Sequence, residues 1–191
     1  MVQDHDSLFV VTGGPGSGKT TLIEALAAEG FARTHEAGRG IIQDQVAIGG
    51  NALPWNDRQA FAEMMLSWDM RSHRSALRRA AQHPGPVFCD RGVVDVVGYL
   101  RLVGLPVPAH VQKAAEVFRY HRRVFVAPPW RDIFTQDTER KQDFDEAVRT
   151  CETLAETYAS LGYELITLPF ASVASRLQFV RAHVAAVPPA S

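Results

Sequence analysis

Residues 7–30 read SLFVVTGGPGSGKTTLIEALAAEG, and the way this stretch folds decides the architecture of the chain. Ser7 to Thr12 is a short apolar run ending in glycines, the pattern of a strand buried on both faces. Thr20 to Glu29 carries Leu22, Ile23, Leu26 and Ala27 at helical spacing, and Gly30 stops it. A buried strand, a glycine-rich turn and an amphipathic helix in succession open an α/β fold.

The same alternation continues outward. Phe31 to His35 is expected as a second short strand, and Trp55 to Ala81 as a long helix. Phe61, Met64, Met65 and Trp68 form one stripe of that helix and read as core. His83-Pro84-Gly85-Pro86 breaks it, and Val87 to Asp90 is a third strand. Helices follow near Val93 to Val103 and Pro108 to Tyr120, then a fourth strand from Arg123 to Val126. The polar segment Trp130 to Gln142 leads into a helix from Phe144 to Ser160. Tyr163 to Leu168 is the fifth strand, Ser172 to Val184 the final helix, and Pro188 to Ser191 a tail expected to fray. Strands alternating with helices imply a parallel sheet with helices on both faces, a three-layer α/β/α sandwich. The 191 residues suit a single domain, 1–191, with a lid at about 129–143.

Composition narrows the class. Hydrophobic residues make up 46% and charged residues 21%, which excludes wholesale disorder. The net charge of −1 lacks the basic excess of a non-specific nucleic-acid binder, so no nucleic-acid partner is expected. No run approaches the ~18 apolar residues of a bilayer span, so no membrane partner is expected either. Cys89 and Cys151 cannot form a disulfide framework, and a cytoplasmic location is the natural reading. Of the 20 basic residues only Lys19, Lys113 and Lys141 are lysines.

One of those lysines lies in Gly13-Gly14-Pro15-Gly16-Ser17-Gly18-Lys19-Thr20, which fits G-x-x-x-x-G-K-[ST]. Its glycines permit a tight loop whose N–H groups face phosphate oxygens, and the helix N-terminus adds partial positive charge. The pattern predicts binding of a nucleoside triphosphate, ATP or GTP. Lys19 is then expected at the β- and γ-phosphates, Thr20 at Mg²⁺, and Thr21 as a further nucleotide contact.

In a parallel sheet the residues after each strand carry the chemistry. Asp90 and Arg91 follow the third strand: Asp90 is a candidate Mg²⁺ ligand or hydroxyl-orienting base, and Arg91 a candidate phosphate or substrate contact. The plain alternative makes Asp90 the cap of the next helix. Glu36, after the second strand, is a candidate acceptor of a substrate proton, and Arg39 a candidate contact for an anionic substrate. Read blandly, both are surface charges on a loop. In the polar segment Arg140 is the preferred arginine finger and Arg131 the second. Pro169 and Phe170, after the fifth strand, are expected to pass the nucleotide base. Arg71, Arg74 and Arg78 share a helix face and read as solvated, with anion binding as the alternative. Arg119, His121, Arg122 and Arg123 are expected to complement a helix C-terminus.

Four segments carry a family likeness: VTGGPGSGKTTLIEALAAEG (11–30), HEAGRGII (35–42), FCDRGVVD (88–95) and APPWRDIFTQDTERKQDF (127–144). The closing stretch 158–180 adds to it. On these the chain resembles the P-loop kinase-like, AAA-type ATP-binding domains grouped with ribosylnicotinamide kinase domains. The resemblance implies a nucleoside-kinase-like fold, a five-stranded parallel sheet in order 2-3-1-4-5 and a lid after the fourth strand. It also implies Mg²⁺ and phosphoryl transfer from ATP or GTP to a small molecule. Asp90-Arg91 is similar to the acidic-Arg pair of deoxynucleoside and thymidylate kinases, whose acidic residue after the second strand handles the acceptor hydroxyl, the place of Glu36 here.

The resulting expectation is a Mg-dependent kinase acting on a nucleoside-like or other hydroxyl acceptor. The competing class is a slow ATPase or GTPase switch that acts through a protein partner. Besides nucleotide and acceptor, a second copy of the chain is a candidate partner.

Overall fold

The computed structural model describes residues 5–83, 85–134 and 143–185. Five strands form a parallel sheet: β1 (Leu8–Gly13), β2 (Ala32–Arg33), β3 (Val87–Asp90), β4 (Arg123–Ala127) and β5 (Glu164–Thr167), in the order β2-β3-β1-β4-β5. The architecture expected from the sequence and the strand order implied by the resemblance are therefore observed. All six residues of β1 are buried, as a central strand covered on both faces requires.

Alternation along the strands sorts the core into two halves. Leu8, Val10, Val87, Cys89 and Val124 point to one side of the sheet. There they meet α3 (Arg58–Gln82), α4 (Val93–Leu102), α5 (Ala109–Val117) and α6 (Phe144–Ser160). Phe9, Val11, Phe88, Phe125 and Ala127 point to the other side, against α1 (Lys19–Ala28) and α7 (Val173–Ala185). The register sets Val11 opposite both Asp90 and Phe125. The carboxyl ends of β1, β3 and β4 thus open on one edge of the sheet, where the candidate chemistry lies.

Some boundaries differ from the sequence reading. β2 spans Ala32–Arg33 rather than 31–35. Residues 37–48, to which the sequence reading assigns no element, form α2 (Ala37–Ile48). Gly38 and Gly40 weaken a helix by about 1 kcal/mol each relative to alanine, which hides it from a propensity argument. Packing overrides that cost: a Cβ on Gly40 would sit 3.1 Å from the Trp68 ring, so the glycine admits the indole. Gly49, at φ +68°, closes the helix. The long helix begins at Arg58 rather than Trp55 because the Asp57 carboxylate caps it, accepting from Ala60 N at 2.9 Å.

Of the basic residues at 119–123, Arg119 and Arg123 complement helix ends, those of neighbouring helices. Arg119 Nη1 donates to the carbonyl of Leu161, which ends α6, at 3.0 Å, and Arg123 Nη1 donates to His183 O in the last turn of α7 at 3.1 Å. His121 is buried and stacks on Phe9 with ring centroids 4.1 Å apart. Among the described residues no helix is long and apolar enough to cross a membrane.

Candidate functional site

The glycine-rich loop joins β1 to α1 with three left-handed glycines: Gly13 at φ +132°, Gly16 at +66° and Gly18 at +78°. Two of them also allow close approach. A Cβ on Gly13 would collide with the Ala127 carbonyl, and one on Gly16 would lie 2.6 Å from the Phe134 ring. Gly18 is the residue before the first turn of α1, so the helix N-terminus opens into the loop. Lys19 is 7% exposed, and its ammonium bridges the loop, donating to Gly14 O at 2.6 Å and Ser17 Oγ at 3.2 Å. Thr20 and Thr21 are exposed beside it. The loop is thus shaped as a cradle, with a cation inside it and amides at its rim.

Asp90 ends β3 directly beside this loop. It is 6% exposed, and its Oδ1 has no hydrogen-bond partner among the described residues. Burial, with the nearby Glu36 carboxylate adding to it, pushes the Asp90 carboxyl up to about 6 against the opposing pull of Lys19 and Arg91. An orphaned buried carboxylate oxygen is costly unless something arrives to pair with it. The glycine cradle and this oxygen fit a polyphosphate accompanied by a divalent cation, with Thr20 and Asp90 as the chain's donors. Asp90 does not cap α4. That role belongs to Gly92 and Asp95, whose Oδ2 accepts from Gly92 N at 3.0 Å.

Arg91 joins two loops. Its Nε donates to Glu36 Oε1 at 3.2 Å, and its Nη1 donates to Asp95 Oδ1 at 3.1 Å. It adopts φ +66°, an unusual backbone for a residue with a side chain. Burial disfavours its charge, but the carboxylates of Glu36, Asp95 and Asp90 outweigh that and hold it protonated. Glu36 stands at the N-cap position of α2 but makes no side-chain cap; it faces Arg91 instead. Arg39 is exposed one turn further along α2.

Three polar residues in this region escape the sequence reading. Asp95, 6% exposed, accepts from Thr12 Oγ1 at 2.6 Å and from Tyr158 Oη at 2.6 Å, in addition to Arg91 and Gly92. Asp69 lies mid-way along α3 and is 5% exposed. Burial, reinforced by Asp95, raises its carboxyl well above the usual range, with Glu36 and Asp90 adding and Arg91 opposing. Arg176 of α7 is 2% exposed, and binds the glycine loop to the loop after β5: Nη1 donates to Ser17 O and Nε to Pro169 O, both at 2.8 Å. Its Nη2 is buried without a partner among the described residues, and burial lowers its pKa. Asp95 had a signal, since it closes FCDRGVVD; the other two look like ordinary helix-surface residues.

The far side of the cradle is aromatic. Trp130 meets the Phe170 ring edge-on at 5.7 Å, and the Arg176 guanidinium lies 5.0 Å from the Trp130 centroid. Arg131 stacks on Phe144 at 4.1 Å, within a 3₁₀ turn spanning Arg131–Ile133. Phe170, next to Pro169, is 62% exposed. Arg140, most of the expected lid and the tail from 188 onward lie outside the described residues.

The sequence matches the family described as AAA domain over residues 8–176. The chain belongs to this family. Its glycine loop between β1 and α1 carries the G-x-x-x-x-G-K-[ST] pattern of a P-loop. Solved structures agree on the fold. The NadR protein in complex with NR superposes with a TM-score of 0.66 at 18% identity, covering 95% of this chain and 52% of that one. NadR in complex with NAD and AMP-PNP gives 0.63 at 18% identity, covering 97% and 51%. Deoxyadenosine kinase from M. mycoides with bound dATP gives 0.55 at 10% identity, covering 94% and 100%. The chain thus spans about half the length of the NadR chains. No curated protein matches the sequence.

Proposed function

We propose that the protein is a phosphotransferase that moves the γ-phosphate of ATP or GTP to a hydroxyl of a small, nucleoside-like acceptor. The observation that carries this reading is the pairing of two acidic positions at adjacent strand ends. Buried Asp90 carries an unpartnered oxygen beside Lys19, and Glu36 is held at the neighbouring opening by Arg91. A second, oriented carboxylate beside the first suits removal of a proton from an acceptor hydroxyl. That the structurally similar deoxyadenosine kinase was solved with dATP, and NadR with NR and with AMP-PNP, supports the same reading.

In this account the loop amides and Lys19 bind the β- and γ-phosphates, while Thr20 and Asp90 hold Mg²⁺, which supplies charge neutralisation when bound. Glu36 accepts the proton of the acceptor hydroxyl as its oxygen bonds to the γ-phosphorus, and the bond to the β–γ bridging oxygen breaks to release the nucleoside diphosphate. Arg91 aims Glu36 through the Nε–Oε1 bond at 3.2 Å. Arg140 or Arg131 covers the transferring group from the lid side, and Pro169 and Phe170 flank the base. Arg39 stands at the acceptor mouth.

The test is diphosphate release with ATP or GTP and Mg²⁺, alone and with a panel of nucleosides and vitamin-like alcohols. Acceptor-dependent release together with a phosphorylated acceptor is expected. Turnover indifferent to every acceptor would replace the kinase with the nucleotide switch.

A further inference from the structure

The arginines at 71, 74 and 78 have a setting that the proposed kinase site does not use. They line a cleft of about 650 Å³ between α2 and α3, an ordinary volume for a small-molecule site. Residues 71 to 78 span about 10 Å of helix at ~1.5 Å per residue. All three arginines are exposed, and Arg71 and Arg78 have no carboxylate partner among the described residues. Arg74 also lies 5.0 Å over the Phe118 ring. Like charges three and four residues apart cost a helix about 0.2–0.5 kcal/mol per pair, so a bare row of them is unfavourable without an anion.

The rest of the lining is not that of a plain solvated face. Trp68, Met64 and Ile41 supply an aromatic and apolar wall one turn before the arginines. Ser75 stands among them, while His35 and Asp44 close the α2 side. Guanidinium forks match phosphate oxygens, and an indole face takes a flat ring. Asp44 suits the hydroxyls of a sugar rather than a second phosphate. Neither the glycine loop nor Glu36, Asp90 or Arg91 lines the cleft among the described residues.

We propose that this cleft is a second ligand site, for a phosphorylated small molecule with a ring that packs on Trp68 and a phosphate held by Arg71, Arg74 and Arg78. It is independent of the glycine loop and goes beyond the kinase reading.

AMP is the probe, with adenosine and inorganic phosphate as its two halves. Calorimetric titrations use the full chain, both as wild type and as Lys19→Ala, in which the glycine loop does not contribute. AMP is expected to bind both forms, at least tenfold tighter than adenosine or phosphate. Arg71→Glu with Arg78→Glu, and separately Ser75→Glu, are expected to weaken AMP at least tenfold while the thermal melt stays cooperative. The proposal is overturned if AMP fails to bind either form, if adenosine binds equally well, or if both sets of variants leave AMP affinity unchanged.

Discussion

Arg91 Nη1 and Asp95 Oδ1 lie 3.1 Å apart, four residues from each other in sequence. Asp95 also receives Thr12 from the end of β1 and Tyr158 from α6, so one buried carboxylate ties the glycine-loop strand, the arginine and the helix behind them. The aim of Arg91 at Glu36 is inherited from this anchor.

Asp95→Asn is therefore expected to do more than remove a charge. Two of the donors aimed at its oxygens would face an amide N–H₂, and a buried guanidinium would lose a partner. A loss of about 2–4 kcal/mol of stability follows from leaving such groups unpaired. Urea denaturation measures it, and Tyr158→Phe alone should cost less.

Arg91→Ala removes the link between the loops after β2 and β3 and strands two largely buried carboxylates, Glu36 and Asp95. The expected cost is about 3 kcal/mol by the same denaturation assay. Arg91→Gly should be milder by about 1 kcal/mol, since glycine accepts φ +66° without strain. Equal losses for the two would mean that the backbone geometry at 91 carries no strain.

Asp69 gives a pH signature. Its folded-state carboxyl is raised above the ordinary value of 3.8, first by burial and then by Asp95, with Glu36 and Asp90 adding and Arg91 opposing. A group shifted upward on folding contributes its stability in full below that ordinary value. It loses that contribution as pH rises toward its folded-state pKa. Asp69→Asn cannot ionise, so its melting temperature should gain on wild type as pH rises above 3.8, at about 2–4 °C per kcal/mol. Parallel melting curves across that range would show that Asp69 stays out of the ionisation balance.

How much of this was legible in the sequence depends on where the signal lay. The strand, glycine loop and helix at 7–30 announce themselves because burial, φ freedom and amphipathic spacing all agree there. Asp90, Arg91 and Glu36 were legible because strand ends in a parallel sheet are where side chains converge. The helix at 37–48 was not, since Gly38 and Gly40 argue against it and only the Trp68 ring explains Gly40. Asp69 and Arg176 were hidden for another reason. A charged residue on a helix reads as solvated, and its burial at 5% and 2% is decided by elements far away in sequence.

Arg176 shows what that distance conceals: it ties Ser17 to Pro169 through donors at 2.8 Å. Arg176→Ala is expected to loosen both loops and weaken nucleotide binding about tenfold, the value of one charge-assisted hydrogen bond. Calorimetry with ATP and GTP checks it, and unchanged affinity for both would leave Arg176 a core residue only.

The most direct measurement is calorimetric titration of ATP and GTP, with Mg²⁺, into wild type and Lys19→Ala. The buried ammonium of Lys19 sits inside the glycine cradle, bonded to Gly14 O and Ser17 Oγ. Wild type is expected to bind at least one of the two triphosphates, and Lys19→Ala to lose that binding at least a hundredfold while melting normally. Equal binding by the two proteins would contradict the account at its base.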